Sequence, residues 1–176
     1  MDNKEKQLRS VFLDTNIWIE LLALRTPREE HEKKQSAQAS ALLKSLLSDK
    51  RRICSCYEQL IEIVNAIQKV KQKAFSKKQK EAGKKGIGSV KEYRRYPEFS
   101  DTAAVCKMAI EDIKHMADVE QHADVPIEQI LENLHLIDIN DYIYYNYCKK
   151  NNLEMYTFDK ELKVLDKFTV VTLLST

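Results

Sequence analysis

The sequence predicts an α/β fold: a three-layer α/β/α sandwich around a central parallel β-sheet of about four to five strands. Three observations carry this. Short apolar runs rich in β-branched and aromatic residues recur at Val11–Leu13, Arg52–Cys56, Leu153–Phe158 and Phe168–Leu174, each reading as a buried strand. The stretches between them place apolar residues at helical spacing, and strands that alternate with helices build a parallel sheet covered on both faces. Finally, two of the runs end at once in a carboxylate, Asp14 and Asp159, as strands do when their carboxyl ends open into a ligand crevice.

The length, 176 residues, fits one domain with a substantial core. The apolar share of 43% and charged share of 32% are those of a globular protein. No apolar run approaches the roughly 20 residues that span a bilayer, and Met1–Ser10 has no apolar signal-peptide core, so the expected location is cytoplasmic, with no membrane partner. Cys54, Cys56, Cys106 and Cys148 make no CxxC pair and read as reduced, mostly buried thiols. Net charge is +2, but residues 69–95 alone carry +9, leaving −7 for the remainder. A basic segment on an acidic body suggests a separate place for a polyanion.

In chain order, Val11–Leu13 is followed by a helix over about Ile17–Leu24, with Thr15 and Asn16 placed to cap it. Asp14 itself reads equally well as a plain helix cap. Thr26-Pro27-Arg28-Glu29 has the form of a helix start with a capping box, predicting a helix to about Ser48 that buries Ala37, Ala41, Leu42 and Leu46. After the second strand, Ser55 and Glu58 have capping-box spacing. The helix that follows buries Leu60, Ile63, Val64 and Ile67, with Glu62 set inside the stripe. A carboxylate there is costly unless it lies at the rim of a site or is paired.

The basic segment continues this helix to about Lys85, where Gly83, Gly86 and Gly88 break it. Tyr93, Tyr96 and Phe99 interleave with Arg94 and Arg95, and such a mixture suits nucleic acid: cations for phosphates, rings for bases. Lys77, Lys78, Lys84, Lys85, Arg94 and Arg95 are the candidate contacts; the bland alternative is a solvated, mobile segment. Asp101–Ala117 is helical by pattern, with Ala104, Val105, Met108, Ala109, Ile113 and Met116 as its apolar face, and Asp118–Asp124 reads as an acidic loop. A short helix opens at Asp124-Val125-Pro126. Leu136–Asp141 is an extended piece entering an aromatic-rich helix that Asp138 or Asn140 can cap, with Asp141 in its first turn. A short helix over Lys160–Leu165 precedes the last strand.

In a parallel sheet with right-handed crossovers, strand ends and helix starts share one edge, so Asp14, Asp141 and Asp159 can converge there, and Glu62 can join them. Converging carboxylates repel one another unless a cation sits among them. An all-oxygen set without His or Cys favours Mg²⁺ or Mn²⁺ over Zn²⁺.

On these residues the chain resembles the PIN-domain nucleases. Val11-Phe12-Leu13-Asp14-Thr15-Asn16 is similar to the family's opening motif, Ser55–Ile67 with Glu62 to its second, and Asp141-Tyr142-Ile143 followed by Thr157-Phe158-Asp159 to its last two. The likeness covers about residues 10–68 and 134–174 of one domain spanning 1–176. Within it, a basic, mostly helical insertion lies at about 69–100.

The resemblance implies metal-dependent hydrolysis of phosphodiesters, usually of RNA, with DNA left open. It implies Asp14, Glu62, Asp141 and Asp159 as metal ligands, direct or through water. Asn16 would orient Asp14, and Thr157 would stand near the phosphate. Asp138 is the rival to Asp141, and Glu58 to Glu62. Small members such as the VapC-type ribonuclease toxins are held by an antitoxin peptide and commonly form homodimers, which makes both partners an expectation here.

Two other readings compete. One is a catalytically silent nucleic-acid-binding or scaffold protein on the same fold, which the filling of all four acidic positions argues against. The other is a receiver-like or phosphatase-like domain. The phosphatase would place a second Asp two residues after the first, where Asn16 stands, and the receiver an acidic pair that the N-terminus does not supply.

Overall fold

The computed structural model describes residues 9–24, 27, 29–120, 122–165 and 170–174. They form a five-stranded, all-parallel sheet made of β1 (Val11–Leu13), β2 (Ile53–Cys56), β3 (Asp118–Glu120), β4 (Glu154–Thr157) and β5 (Val171–Leu173). The spatial order is β3-β2-β1-β4-β5. The chain moves outward from β1 through β2 to β3, then returns to lay β4 on the other side of β1. The topological switch point therefore lies between β1 and β4, where an open α/β sheet forms its crevice. Leu13 is in register with Tyr156, so Asp14 and Thr157 leave the sheet side by side. The backbone N–H of Asp14 still donates to the Tyr156 carbonyl at 2.9 Å.

Successive strand residues face opposite sides. Val11, Leu13 and Ile53 join a core with Ile17, Trp18, Leu46, Ile63, Ile67 and Ile113. Phe12, Cys54, Cys56 and Met155 join the other, with Tyr144, Tyr147, Cys148 and Leu162. The helices are α1 (Thr15–Leu21), α2 (Glu30–Ser48), α3 (Tyr57–Glu81), α4 (Val90–Tyr93), α5 (Phe99–Met116), α6 (Ile127–Asn133) and α7 (Ile139–Lys150), and a 3-10 turn covers Glu161–Val164. None of the four cysteines is in a disulfide, and Cys54, Cys56 and Cys148 are buried. No helix among the described residues is long and apolar enough to cross a membrane.

Several expectations need correction. Asp118–Glu120 is an edge strand and not loop: β2 supplies its hydrogen bonds, and the exposed charge of Asp118 suits an edge that must not attract another chain. The buried stripe of α2 is Ala39 and Leu46 with Leu42 and Leu43 beside them, while Ala37 and Ala41 face outward. Thr26 and Arg28 lie outside the described residues, and the N-cap of α2 is Glu29. The expected box at Ser55 is absent, because the Ser55 hydroxyl donates to Gln59 Oε1 at 2.7 Å and Cys56 is the N-cap. In α5, Ala109 and Ile113 are buried with Thr102, whereas Ala104 and Met108 are exposed. Leu136 and Ile137 are not extended strand; they belong to the turn that delivers the cap of α7. Of the last predicted strand, Phe168 and Thr169 lie outside the described residues.

Helix α3 ends at Glu81, four residues before the expected Lys85. Lys84 N–H folds back onto the Gln79 carbonyl at 2.9 Å, and Gly83 sits at φ +72°, a left-handed conformation glycine adopts without strain. The return segment is pinned to α3: Gln72 Nε2 donates to the Ile87 carbonyl at 2.6 Å, and Ile87 N–H donates to Ser76 Oγ at 2.9 Å. The rings expected to stack on bases are used here instead. Phe75, Ile87 and Tyr93 form a small third core with Tyr96 and Phe99 against it, and Tyr93 is 3% exposed. Ring centroids lie 5.1 Å apart for Phe75–Tyr93 and 5.5 Å for Tyr93–Phe99. Burial of that much ring surface outweighs leaving it in water for a ligand.

Candidate active site

Asp14 closes β1 and opens α1. It is the N-cap of α1, and Oδ1 accepts from Thr15 N–H at 2.6 Å. Its other oxygen accepts from Asn16 Nδ2 at 2.7 Å and from Thr157 Oγ1 at 2.5 Å. Asn16 also receives Phe158 N–H at 3.4 Å on its carbonyl oxygen, and Thr157 Oγ1 receives Asp159 N–H at 2.8 Å. One polar web thus ties the end of β1 to the end of β4. The cap reading and the site reading of Asp14 describe the same side chain. Asp14 is 4% exposed, and burial raises its pKa to about 6, with its hydrogen bonds opposing and Glu62 and Asp159 adding repulsion.

Glu62 lies in the second turn of α3. Its Oε2 accepts from Thr15 Oγ1 at 2.6 Å and from Tyr144 Oη at 2.7 Å, which places it beside the Asp14 web. Asp141 stands in the first turn of α7, one turn before Tyr144 on the same helix face. Its pKa is raised to about 7, first by burial and then by repulsion from Asp14, Asp159, Asp138 and Glu62. Among the described residues no hydrogen-bond donor relieves its carboxylate. Asp159 follows β4 and caps the 3-10 turn, Oδ1 accepting from Glu161 N–H at 2.8 Å.

These four residues line a single cavity of about 590 Å³. Glu58, Asp138 and Glu161 share it, and among the described residues Lys69 is the only cation on its wall. The rivals have other duties. Asp138 is the N-cap of α7, Oδ1 accepting from Asn140 N–H at 2.9 Å. Glu58 receives Ala123 N–H and His122 Nδ1, both at 3.1 Å; burial pushes its pKa up, but these and its own backbone contact outweigh it and leave the pKa lowered.

No three His, Cys, Asp or Glu side chains among the described residues form a closed metal cage. Yet the donor set fits a hard cation that keeps much of its water: hard oxygens throughout, a roomy cavity, and carboxylates whose charge is disfavoured as it stands.

The family model for the PIN domain matches residues 11–168, spanning β1 to the 3-10 turn and therefore every residue of this cavity. The chain belongs to the PIN domain family. PIN domains are generally nucleases that bind nucleic acid and typically act with divalent metal ions. No curated protein matches the sequence.

The expected nucleic-acid contacts lie away from the PIN cavity. Lys77 and Lys78 are exposed on α3, Lys84 and Lys85 on the return segment, and Arg95 after α4. Arg94 is already engaged, donating to Gln68 Oε1 at 2.8 Å with its guanidinium 5.9 Å from the Phe99 ring centre. The sequence reading missed Thr15, Tyr144 and Lys69. Tyr144 was detectable as the i+3 neighbour of Asp141, and Lys69 as the i+7 neighbour of Glu62.

Proposed function

We propose that this PIN domain is a Mg²⁺- or Mn²⁺-dependent endoribonuclease, with Asp14, Glu62, Asp141 and Asp159 holding the metal directly or through water. The observation that carries the reading is that these four carboxylates, delivered by four separate elements, face one cavity at the switch point. Asp14 and Asp141 are raised to about 6 and about 7 there, the electrostatic mark of a site built for a positive charge. A divalent ion bound there supplies charge neutralisation at the scissile phosphate and makes a water nucleophilic near neutral pH. Asn16 and Thr157 fix the Asp14 carboxylate, and Thr15 and Tyr144 fix Glu62, so the ligand set is oriented before substrate arrives. Glu62 is preferred to Glu58, whose carboxylate serves the turn at Ala123, and Asp141 to Asp138, which serves as a helix cap.

The test is cleavage of end-labelled RNA with Mg²⁺, with Mn²⁺ and with chelator, using wild type, Asp14→Asn and Asp159→Asn. Metal-dependent internal cuts that both variants lose, with circular dichroism unchanged, are the expected result. Retained cutting by both would overturn the site. DNA run in parallel decides the sugar. No cleavage of either polymer by wild type would favour the silent binding or scaffold protein.

The role of toxin in a toxin–antitoxin pair is a further part of this proposal, supported by one surface. Ile127, Leu131, Leu134, Leu136 and Ile139, on α6 and the turn into α7, are each 45–59% exposed. An apolar patch of this kind suits a protein partner, a second copy or an antitoxin peptide. Light scattering of the purified chain tests the homodimer.

A further inference from the structure

Helix α3 changes character along one face. Glu62, Lys69, Lys73 and Lys80 stand at i, i+7, i+11 and i+18, positions that return within about 20° of one direction on an α-helix. Glu62 and Lys69 line the acidic cavity. Lys73, Lys77 and Lys80 line a second cavity of about 400 Å³, together with Gln72, Ser76, Ile87 and Gly88. No carboxylate is among those lining residues, although Lys77 reaches Glu81 at 3.7 Å on the outer edge. The opposite face differs: Lys71 and Lys78 line a third cavity that also carries the carboxylates of Glu98 and Asp101.

The groove is built as well as charged. The hydrogen bonds of Gln72 and Ser76 to Ile87 fix the return segment as its wall. Gly86 gives the Lys80 stem its seat: a Cβ there would overlap Lys80 Cε and stand 2.9 Å from Ser76 Oγ. One turn of helix separates Lys69 from Lys73 and Lys73 from Lys77, about 6 Å of rise each, a spacing close to that of consecutive phosphates on an extended strand.

We infer that α3 is the track for the substrate strand: RNA leaves the acidic cavity over Lys69 and lays its next phosphates along Lys73, Lys77 and Lys80. This rests on the ribonuclease reading and adds where the strand runs on one side of the cut. Lys69 bridges the two regions, compensating the acidic wall at the point where a polyanion must pass it. The surface reads phosphates and not bases, since no aromatic side chain is among the residues lining the groove and Phe75 and Tyr93 are buried in their own core.

The test measures binding of a fluorescent single-stranded RNA by anisotropy across a salt series, with chelator present so that nothing is cut. A Lys73→Gln, Lys77→Gln, Lys80→Gln variant is compared with Lys71→Gln, Lys78→Gln, Lys107→Gln, which removes equal charge elsewhere. Three lost phosphate contacts should flatten the slope of log affinity against log salt by about 2, or about a hundredfold in affinity at about 0.1 M salt if the variants converge at about 1 M. The control variant should change the slope by less than about 0.7, the value of a single contact. Equal slopes in the two variants, or no RNA binding by wild type, would overturn the track. So would competition by polyglutamate at equal charge concentration. Wild type that cuts RNA with a slope indifferent to the groove sinks the track alone. Groove-dependent binding without cutting sinks the nuclease reading and leaves the track standing.

Discussion

Replacing Asp141 by Asn should make the metal-free protein more stable while abolishing its activity. The Asp141 carboxylate is raised from its ordinary 3.8 to about 7, and burial and four neighbouring carboxylates cause this without hydrogen bonds that the amide would lose. A shift of that size corresponds to about 4 kcal/mol of disfavoured charge, at 1.36 kcal/mol per unit. The side chain is only half-buried, and solvent screening reduces this to about 1–2 kcal/mol. The sign follows from linkage. The folded pKa lies above the unfolded one, so wild type loses stability as pH rises from about 4 to about 7, and the neutral Asn does not. The variant's advantage should be absent near pH 4, grow through that window and level off above it. For a chain of this length it is about 3–6 °C in melting temperature at pH 8. The assay is thermal unfolding with chelator at a series of pH values, repeated with Mn²⁺. Saturating metal, at roughly a hundredfold excess over Kd, should raise wild type by about 2.7 kcal/mol and the variant by much less. A variant no more stable than wild type at pH 8 without metal, or equally responsive to Mn²⁺, would refute the reasoning.

Other expectations are simpler to state. Asn16→Ala removes the donor to Asp14 Oδ2 and the acceptor for Phe158 N–H, so kcat on RNA should fall about 10–100-fold with little change in melting temperature. Metal binding should release protons at pH 6, where Asp141 and part of Asp14 are protonated, and almost none at pH 8.5; calorimetry in buffers of different ionisation enthalpy measures this. Phe75→Ala opens the third core, and hydrogen exchange should quicken over residues 83–98 while β1 and β4 stay protected.

The parts of the fold legible in the sequence were those where one residue type had one reason to be present. Val11–Leu13 is a run of apolar residues ended by a carboxylate, and the sheet uses it in that way. Met155–Asp159 repeats the pattern on the neighbouring strand. Asp118-Val119-Glu120 carries no such mark, because an edge strand needs hydrogen-bonding partners more than apolar side chains; its identity comes from β2 and not from itself. The α2 stripe was misplaced because small alanines occur on both faces of that helix, and only packing selects Ala39. The net charge of residues 69–95 does not say which way each cation faces: α3 presents Lys73, Lys77 and Lys80 to one groove, and Lys71 and Lys78 to another that also holds Glu98 and Asp101. Tyr93 and Phe99 show the same limit: beside arginines they resemble a stacking platform, yet their burial depends on Phe75 and Ile87, brought in from distant sequence.

Crystals grown with Mn²⁺ and measured at its absorption edge test the central claim most directly. The account predicts an anomalous peak inside the cavity between β1 and β4, against oxygens of Asp14, Glu62, Asp141 or Asp159, directly or through one water. Full occupancy of Mn²⁺ at some other place, with this cavity empty at saturating metal, would contradict it.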